Sequence, residues 1–270
     1  MPITIIDSLG VTRYLGNNVP PDEPSTDKWP IFRATITEEL IPRDQWKELV
    51  PDEDGPDAPH RLYIHDQDGV GQCNCDATAA AAEDSRLMAG LPGVKLSAPD
   101  LYDRINGGAD NGSMLEDAIE EMTKRGIGEL GGNSPYWRRG QRKSPADERA
   151  KYIVVKASLC PTFDHVYSAV LRRKRIITGI MWYDNFTPDK NGWLPSSGRG
   201  NAGGHAIKGY KATRRGNQYG IWHDNSWTTQ WGLNGSMVIP ESLYGRNIGG
   251  WWAIDTVTDS GGEDVPPLSA

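Results

Sequence analysis

Two of the three cysteines in the chain, Cys73 and Cys75, lie one residue apart at the start of an alanine-rich stretch, GVGQCNCDATAAAAED (residues 69–84). Three cysteines cannot all pair, and a bridge between Cys73 and Cys75 would be strained, so a disulfide framework is not expected. A C-x-C pair without a second Cys or His pair at ligand spacing is only a weak indication of zinc. A third possibility is that one thiol is a nucleophile and the other a bystander.

Two further residues are of the types that assist a thiol nucleophile. Cys73 begins an expected helix, His205 begins an expected strand after GRGNAGG, and Asn225 lies in HDNSWTTQWGLNG. The positive end of a helix dipole favours a thiolate. A nearby imidazole would form an ion pair with that thiolate, and a third polar group would fix the tautomer of the ring. Each residue alone is typical of a structural position, so only their combination indicates covalent catalysis.

The elements that must position these residues differ between the two halves of the chain. In the first half, the alanine-rich stretch predicts a buried helix, and SAPDLYDRI predicts a second helix capped by Ser97. GSMLEDAIEEMTKRG has apolar residues at helical spacing and ends at Gly126. In the second half, the runs RIITGIMWYDNF, GHAIKGYKA, YGIWHDN, SMVIP and GGWWAID are short, β-branched or aromatic, and separated by turn residues, which is typical of strands. Both halves together predict an α+β fold.

Composition excludes several function classes. The chain has 270 residues and a formal net charge of −7, and the basic run RRKR (172–175) is too short to form a nucleic-acid footprint. No stretch approaches the roughly 18 apolar residues of a membrane span, and the first residues lack the pattern of a secretory signal. We therefore expect a cytoplasmic protein that binds neither nucleic acid nor membrane. The pattern predicts an extended arm over residues 1–40, a folded domain over 41–255, and a disordered acidic tail over 256–270.

The chain resembles the papain-like cysteine peptidases over roughly residues 41–255. The resemblance is carried by DQDGVGQC, by GGHAIKGY, and above all by NSWTTQWGLNG, with support from LSAPDLYDRI and DNGSMLEDAIEEMTKRGI. His205 lies 132 residues after Cys73 (205 − 73) and Asn225 lies 152 after it (225 − 73), close to the family spacing of about 130–150. The resemblance implies a helical lobe over about 60–145, an antiparallel β lobe over about 146–255, and an active site in the cleft between them.

The same resemblance distinguishes the two thiols. The family has a Gln six residues before its nucleophile, a Gly two before it and a Glu ten after it. Counting from Cys73 finds Gln67, Gly71 and Glu83, whereas counting from Cys75 finds none of the three residue types in place. Cys73 is therefore the expected nucleophile, and Cys75 a small helix residue that points elsewhere.

The resemblance also implies a role for each matched residue. Cys73 would attack a peptide carbonyl and form a thioester, with His205 moving the proton and Asn225 holding the imidazole. Gln67 and the backbone N–H of Cys73 would form the oxyanion hole, and Trp227 would shield the bond between His205 and Asn225. No metal or organic cofactor is implied, and the substrate is a peptide or protein.

Substrate contacts are expected at Gly112, Ser113 and Gly204, besides Trp227. The glycine pair with which the family holds the substrate backbone falls at DNGS, with Ser113 in place of the second glycine. No preferred substrate side chain follows from this.

Several departures from the family pattern concern catalysis. The residue after the nucleophile is Asn74 where the family has an aromatic, and Asp76 places a carboxylate near the thiolate end of the helix, where it would raise the pKa of the thiol. Val70 replaces a family cysteine, and Lys208 interrupts the strand that carries His205. About 40 residues precede the core, and they lack the helical pattern of the family's inhibitory propeptide. Four other histidines are interpreted as structural, namely His60, His65, His165 and His223.

Two other functions remain open at this point. A papain-fold protein retained for binding would suit a component of an assembly such as a phage virion, and would explain Asn74 and Asp76. A hydrolase of cell-wall peptides would use a similar order of Cys and His, although NSWTTQWG favours the papain family.

Overall fold

A computed structural model of the chain describes residues 3–7, 9–18, 39–130 and 154–258. The elements, in chain order, are β1 (Ile3–Ile6), β2 (Thr12–Leu15), α1 (Arg43–Leu49), α2 (Cys73–Met88), α3 (Ala98–Ile105), α4 (Leu115–Lys124), β3 (Val154–Leu159), α5 (Phe163–Leu171), β4 (Ile176–Tyr183), β5 (Ala202–Arg215), β6 (Gln218–Asp224), β7 (Ser236–Pro240) and β8 (Asn247–Thr258). A 3₁₀ turn, Glu241–Arg246, precedes β8.

Helices α2, α3 and α4 form a helical lobe. The alanine run of α2 is buried, since small side chains let the helix lie close to the neighbouring elements. Helix α3 begins where the sequence predicts, because the Ser97 side chain accepts a hydrogen bond from the Asp100 N–H at 3.2 Å. The lobe therefore holds the first turn of α2, and with it Cys73, in a fixed position.

A six-stranded sheet of order β3-β8-β4-β5-β6-β7 forms the second lobe, and all of its pairs are antiparallel. In the β4–β5 register His205 lies opposite Ile180, and in the β5–β6 register Lys208 lies opposite Asp224. Asn225 directly follows β6. Antiparallel pairing thus brings the start of β5 and the end of β6 together, and so brings His205 next to Asn225.

Two hydrophobic clusters support the site from opposite sides. One joins the alanines of α2 to apolar residues of α3, α4 and the sheet, and it contains Cys73. The other packs α1 and α5 against the sheet and is rich in aromatic rings. Trp222, Trp251 and Trp252 of the β lobe are all buried.

The ends of the chain differ in detail from the sequence prediction. Strand β8 continues to Thr258, beyond the predicted domain boundary at residue 255, because its last residues pair with β3. The rest of the predicted disordered tail lies outside the described residues. Within the predicted arm, β1 and β2 form an antiparallel hairpin. No helix among the described ranges is long and apolar enough to cross a membrane.

Candidate active site

The thiol of Cys73 lies at the beginning of α2, whose N-cap is Gln72. Cys73 is fully buried, and its sulfur lies within hydrogen-bonding reach of the backbone N–H groups of Ala206 and Gly16. Since Ala206 follows His205 in β5, this contact places the sulfur beside the strand that carries the histidine. Cys75 is also buried, and its side chain interacts with Ser113 instead.

His205 and Asn225 form a direct hydrogen bond, with 2.8 Å between the histidine Nε2 and the asparagine Oδ1. The same Oδ1 accepts the Ser226 N–H at 2.9 Å, so it acts as an acceptor and the histidine proton lies on Nε2. The opposite nitrogen, Nδ1, has no hydrogen-bond partner within the described part of the chain. The indole of Trp227 stacks on the imidazole with 4.9 Å between ring centroids. This arrangement leaves a lone pair on Nδ1 free to accept a proton.

Burial keeps both members of the expected ion pair neutral in this form. It raises the pKa of Cys73 to about 12, although the N–H groups of Ala206 and Gly16 lower it, and Asp76 adds a smaller increase. Burial lowers the pKa of His205 to about 4, against the opposing effect of the bond to Asn225. A thiol with a pKa above neutral pH and an imidazole with a pKa below it do not exchange a proton at pH 7. The described form is therefore not poised for attack.

Gln67 lies in the segment before α2, with its side-chain amide pointing at a peptide carbonyl. Its Nε2 donates to the Tyr14 carbonyl at 2.8 Å and to the Val70 carbonyl at 2.8 Å. Its Oε1 accepts from the Ser226 hydroxyl at 2.7 Å and from the Trp227 indole at 3.1 Å. These bonds fix the amide orientation, and both Nε2 hydrogens already donate to carbonyl oxygens.

One of the two carbonyls that Gln67 binds, that of Tyr14, belongs to the chain's own N-terminal arm. Asn17 N–H donates to the Gly204 carbonyl at 3.0 Å, and the Ser113 N–H donates to the Gly16 carbonyl at 2.8 Å. The Asn18 N–H in turn donates to the Ser113 carbonyl at 2.8 Å. Residues 14–18, which we call the cleft segment, thus contact Ser113 and Gly204, which were expected to bind substrate, and Gln67, which was expected in the oxyanion hole. Sequence analysis did not anticipate this contact.

Close backbone approach explains why the cleft segment has a glycine at its centre. A Cβ on Gly16 would lie 2.0 Å from the Gly71 carbonyl oxygen, well inside any real contact. Gly112 and Gly204 are restricted in the same way, since added Cβ atoms would lie 2.3 Å from the Gly16 oxygen and 1.9 Å from the Asn17 oxygen. The backbone of the cleft segment therefore packs directly against the backbone at Gly71, Gly112 and Gly204.

The hairpin of β1 and β2, whose last two residues begin the cleft segment, packs against the β lobe. Leu15 and Ile5 are buried in the aromatic-rich cluster. Arg13 pairs with Asp7 at 2.8 Å and lies over the Trp227 ring, 5.4 Å from its centroid. The cleft segment is thus held by apolar contacts as well as by its own hydrogen bonds.

The two departures next to the nucleophile each have a partner. Asn74 Nδ2 donates to the Ser113 carbonyl at 2.7 Å and to the Ser113 hydroxyl at 3.1 Å. Asn74 stands where the family has an aromatic residue, and Ser113 stands where it has a glycine. These two departures from the family thus form one hydrogen-bonded pair. Asp76 Oδ1 lies 3.0 Å from His65 Nδ1, so its charge faces an imidazole and not only the thiol.

Lys208, the charge that interrupts β5, is buried in an ion network between the lobes. Its Nζ lies 2.7 Å from Asp84 on α2 and 2.9 Å from Asp224 at the end of β6. Arg175 also binds Asp84, and Arg61 also binds Asp224. Because Asp224 precedes Asn225, this network ties the end of β6 to the helix of the nucleophile.

The remaining histidines lie apart from the dyad of His205 and Asn225. His223 is buried, with Nε2 3.1 Å from both the Thr178 hydroxyl and the Tyr244 hydroxyl. His165 is half-buried and contacts Thr162. Among the described residues, no group of three or more His, Cys, Asp or Glu side chains is arranged to hold a metal ion. Sequence reasoning interpreted His65 as structural, named Lys208 only as an interruption of β5, and did not predict the cleft segment.

Comparison with solved structures shows the same fold. Xylellain, a cysteine protease from Xylella fastidiosa, matches with a TM-score of 0.67 and 19% identity, over 96% of this chain and 99% of that one. The proCathepsin B S9 of Trypanosoma congolense matches with a TM-score of 0.59 and 17% identity, over 90% and 87%. Digestive procathepsin L 3 of Tenebrio molitor larval midgut matches with a TM-score of 0.58 and 15% identity, over 86% of each chain.

Sequence comparison assigns the family. No sequence among the curated proteins matches the chain. The family model described as papain family cysteine protease matches residues 60–247, which is more than half of the chain and includes Gln67, Cys73, His205 and Asn225. The chain belongs to the papain family of cysteine proteases.

Proposed function

We propose that the protein is a thiol endopeptidase that uses Cys73, His205 and Asn225, and that the described form is latent. The observation that carries the proposal is the cleft segment itself. An extended peptide lies across the cleft, with one carbonyl on Gln67 and the backbone paired to Ser113 and Gly204. A cleft that holds this peptide has the shape and the hydrogen-bond donors to hold a substrate peptide.

The chemistry follows from the positions of the side chains. Once the cleft is open, His205 Nδ1 takes the thiol proton, and the thiolate attacks a substrate carbonyl carbon. Gln67 Nε2 and the Cys73 N–H stabilise the resulting oxyanion, a contribution of roughly 10²–10³ in rate per donor. The imidazolium then protonates the leaving amine, and a thioester remains on the sulfur. Water, deprotonated by His205, hydrolyses the thioester and frees the carboxylic acid.

The path of the cleft segment supports cleavage within a chain. The cleft segment enters the cleft beside Arg13 and Trp227. It passes the Cys73 sulfur at Gly16 and leaves the cleft at Asn18. Backbone therefore lies on both sides of the sulfur, as an endopeptidase requires, whereas an exopeptidase closes one side.

The pairing of the cleft segment differs from that of a substrate ready for attack. The group that it offers to the sulfur is the Gly16 N–H. Asn17 forms a parallel β-bridge with Ser113, because the Ser113 N–H donates to the Gly16 carbonyl and the Ser113 carbonyl accepts the Asn18 N–H. A donor N–H stabilises the sulfur without presenting an electrophile, so the segment fills the cleft and is not itself consumed there. Activity requires that it leave.

A proteolysis assay tests the proposal. Gly16→Ala, which cannot keep the cleft segment in place, is incubated with an unfolded protein such as casein, and the products are sequenced by mass spectrometry. We expect internal cleavages that are lost in Gly16→Ala/Cys73→Ala and reduced at least 10²-fold in Gly16→Ala/His205→Ala. Cleavage that persists without Cys73 would refute the mechanism, and products trimmed only from their ends would refute the endopeptidase assignment.

A further inference from the structure

A buried charge cluster lies behind the nucleophile and is not used in the steps above. His65 is enclosed between two carboxylates of α2, with Nδ1 3.0 Å from Asp76 Oδ1 and Nε2 3.1 Å from Glu83 Oε2. All three side chains are at least 94% buried, and Tyr63 stacks on the imidazole with 4.5 Å between centroids. Such a cluster is costly to bury unless its charges are compensated.

The contacts of His65 favour a charged ring. A neutral imidazole has one N–H and can donate to one carboxylate only, whereas His65 meets a carboxylate oxygen at each nitrogen. Burial alone would lower the pKa of His65, but the charges of Glu83 and Asp76 and the hydrogen bonds to both outweigh burial and raise it to about 10. His65 is therefore an imidazolium at neutral pH.

One of these carboxylates faces the reactive thiol. Asp76 lies three residues after Cys73, on the same side of the helix, and its charge raises the pKa of the Cys73 thiol. An anion at this position opposes the formation of a thiolate, because like charges disfavour each other. The positive charge on His65 offsets that effect.

The backbone around His65 also carries the oxyanion-hole side chain. The His65 carbonyl accepts the Thr228 N–H at 3.3 Å, and the Gln67 N–H donates to the Ser226 carbonyl at 3.0 Å. Residues 65–67 thus run beside the segment that contains Trp227, with Asp66 and Trp227 bridged. The bonds of the His65 side chain to Asp76 and Glu83 connect these residues to the first and third turns of α2.

We infer that His65 is a positioning residue, an imidazolium that neutralises Asp76 and holds the Gln67 segment in register with the nucleophile. The inference rests on the proposed function, since it concerns the reactivity of Cys73. It assigns a use to Asp76, which taken alone is an obstacle to catalysis, and to His65, which the sequence indicates only as a structural residue.

Other charged and polar groups near the cluster do not replace His65. Gln72 Nε2 approaches Asp76 Oδ1 only to 3.5 Å. Lys208 lines the same small cavity, but its Nζ is bound to Asp84 and Asp224. Asp66, which is partly buried, adds negative charge beside Asp76.

The test measures the pH dependence of Cys73 alkylation by iodoacetamide in the Gly16→Ala background, with the modified cysteine mapped by mass spectrometry. His65→Gln is expected to raise the midpoint of the profile by about one pH unit, because Asp76 is then uncompensated. Asp76→Asn is expected to lower the midpoint, because the imidazolium then faces only Glu83. The double variant His65→Gln/Asp76→Asn is expected to return to within about 0.3 units of the parent.

A merely structural role predicts a different pattern. Loss of packing would slow alkylation at every pH without moving the midpoint, and the double variant would be at least as impaired as His65→Gln; either result overturns the inference. Should His65→Gln fail to fold, Asp76→Asn alone decides, since an unchanged or raised midpoint overturns the inference as well. Failure of the proposed function is distinct: in that case the parent shows no selective labelling of Cys73 that depends on His205.

Discussion

Substitution of Gly16 by alanine is expected to release the cleft segment. A Cβ at this position would lie 2.0 Å from a backbone oxygen of Gly71, which cannot move without disturbing the start of α2. The segment must therefore shift, and the backbone hydrogen bonds at residues 16, 17 and 18 are lost with it. At about 1 kcal/mol net for each bond, the closed form loses about 3 kcal/mol.

The free energy that the closed form loses determines how much the open population rises. About 1.4 kcal/mol corresponds to a factor of ten, so the open population should rise about 100-fold. Because Cys73 is fully buried when the segment is in place, alkylation reports the open population directly. We therefore expect slow labelling of Cys73 by limiting iodoacetamide at pH 7 in the unaltered chain, and labelling about 100-fold faster in Gly16→Ala.

Two controls separate local opening from loss of stability. Gly55→Ala is matched in chemistry, but a Cβ at Gly55 meets no atom within 4 Å, so it should label like the unaltered chain. Cys160 is buried after β3, in the aromatic-rich cluster, and acts as an internal reference. Equal rates in Gly16→Ala and Gly55→Ala, or a parallel rise at Cys160, would refute the reasoning.

Three further outcomes are expected. Lys208→Met should lower stability by about 3–5 kcal/mol, because it leaves two buried carboxylates short of a cation, and a melting temperature within about 2 °C of the parent would contradict this. In the Gly16→Ala background, Asn74→Ala should raise the peptide KM about fivefold with kcat little changed, since the Ser113 carbonyl loses a donor worth about 1 kcal/mol; Thr78→Val, which removes a different bond on the same helix, is the control. Burial holds the pKa of His205 near 4 in the closed form, so the closed form binds fewer protons than the open one and should weaken as pH falls from about 6.5 towards 4. Hydrogen exchange at residues 16–18, corrected for its intrinsic pH dependence, should then show reduced protection at pH 4.5, and equal protection at pH 4.5 and pH 7 would contradict it.

Much of the fold was predictable because its signals are local. The cap at Ser97, the helical spacing of GSMLEDAIEEMTKRG and the short β-branched runs of the second half each depend on neighbours within a few residues, and each corresponds to an element. The meeting of His205 and Asn225 follows from one antiparallel register, and the family resemblance implied it. The family assignment rests on the same motifs.

The cleft segment was not predictable for the opposite reason. Its bonds to Ser113 and Gly204 are made by backbone groups, which every residue carries, and they join positions about 95 and 187 residues away (113 − 18 and 204 − 17). The only side-chain requirement is the absence of one at Gly16, and glycine is common in loop-like segments whether or not another backbone lies against them.

The departures near the nucleophile show that a single substituted position is weak evidence about the activity of a site. Asn74, Asp76 and Lys208 each argue against catalysis when taken alone, because each puts a polar group close to the expected site without an evident partner in the sequence. In the fold each is matched by a second group: Asn74 by Ser113, Asp76 by His65, and Lys208 by a pair of carboxylates. The desolvation cost of a buried polar group is met only when its partner is present, so the partner must be counted together with the departure. A departure whose partner is found in the fold is therefore weaker evidence of lost activity than one whose charge is left alone.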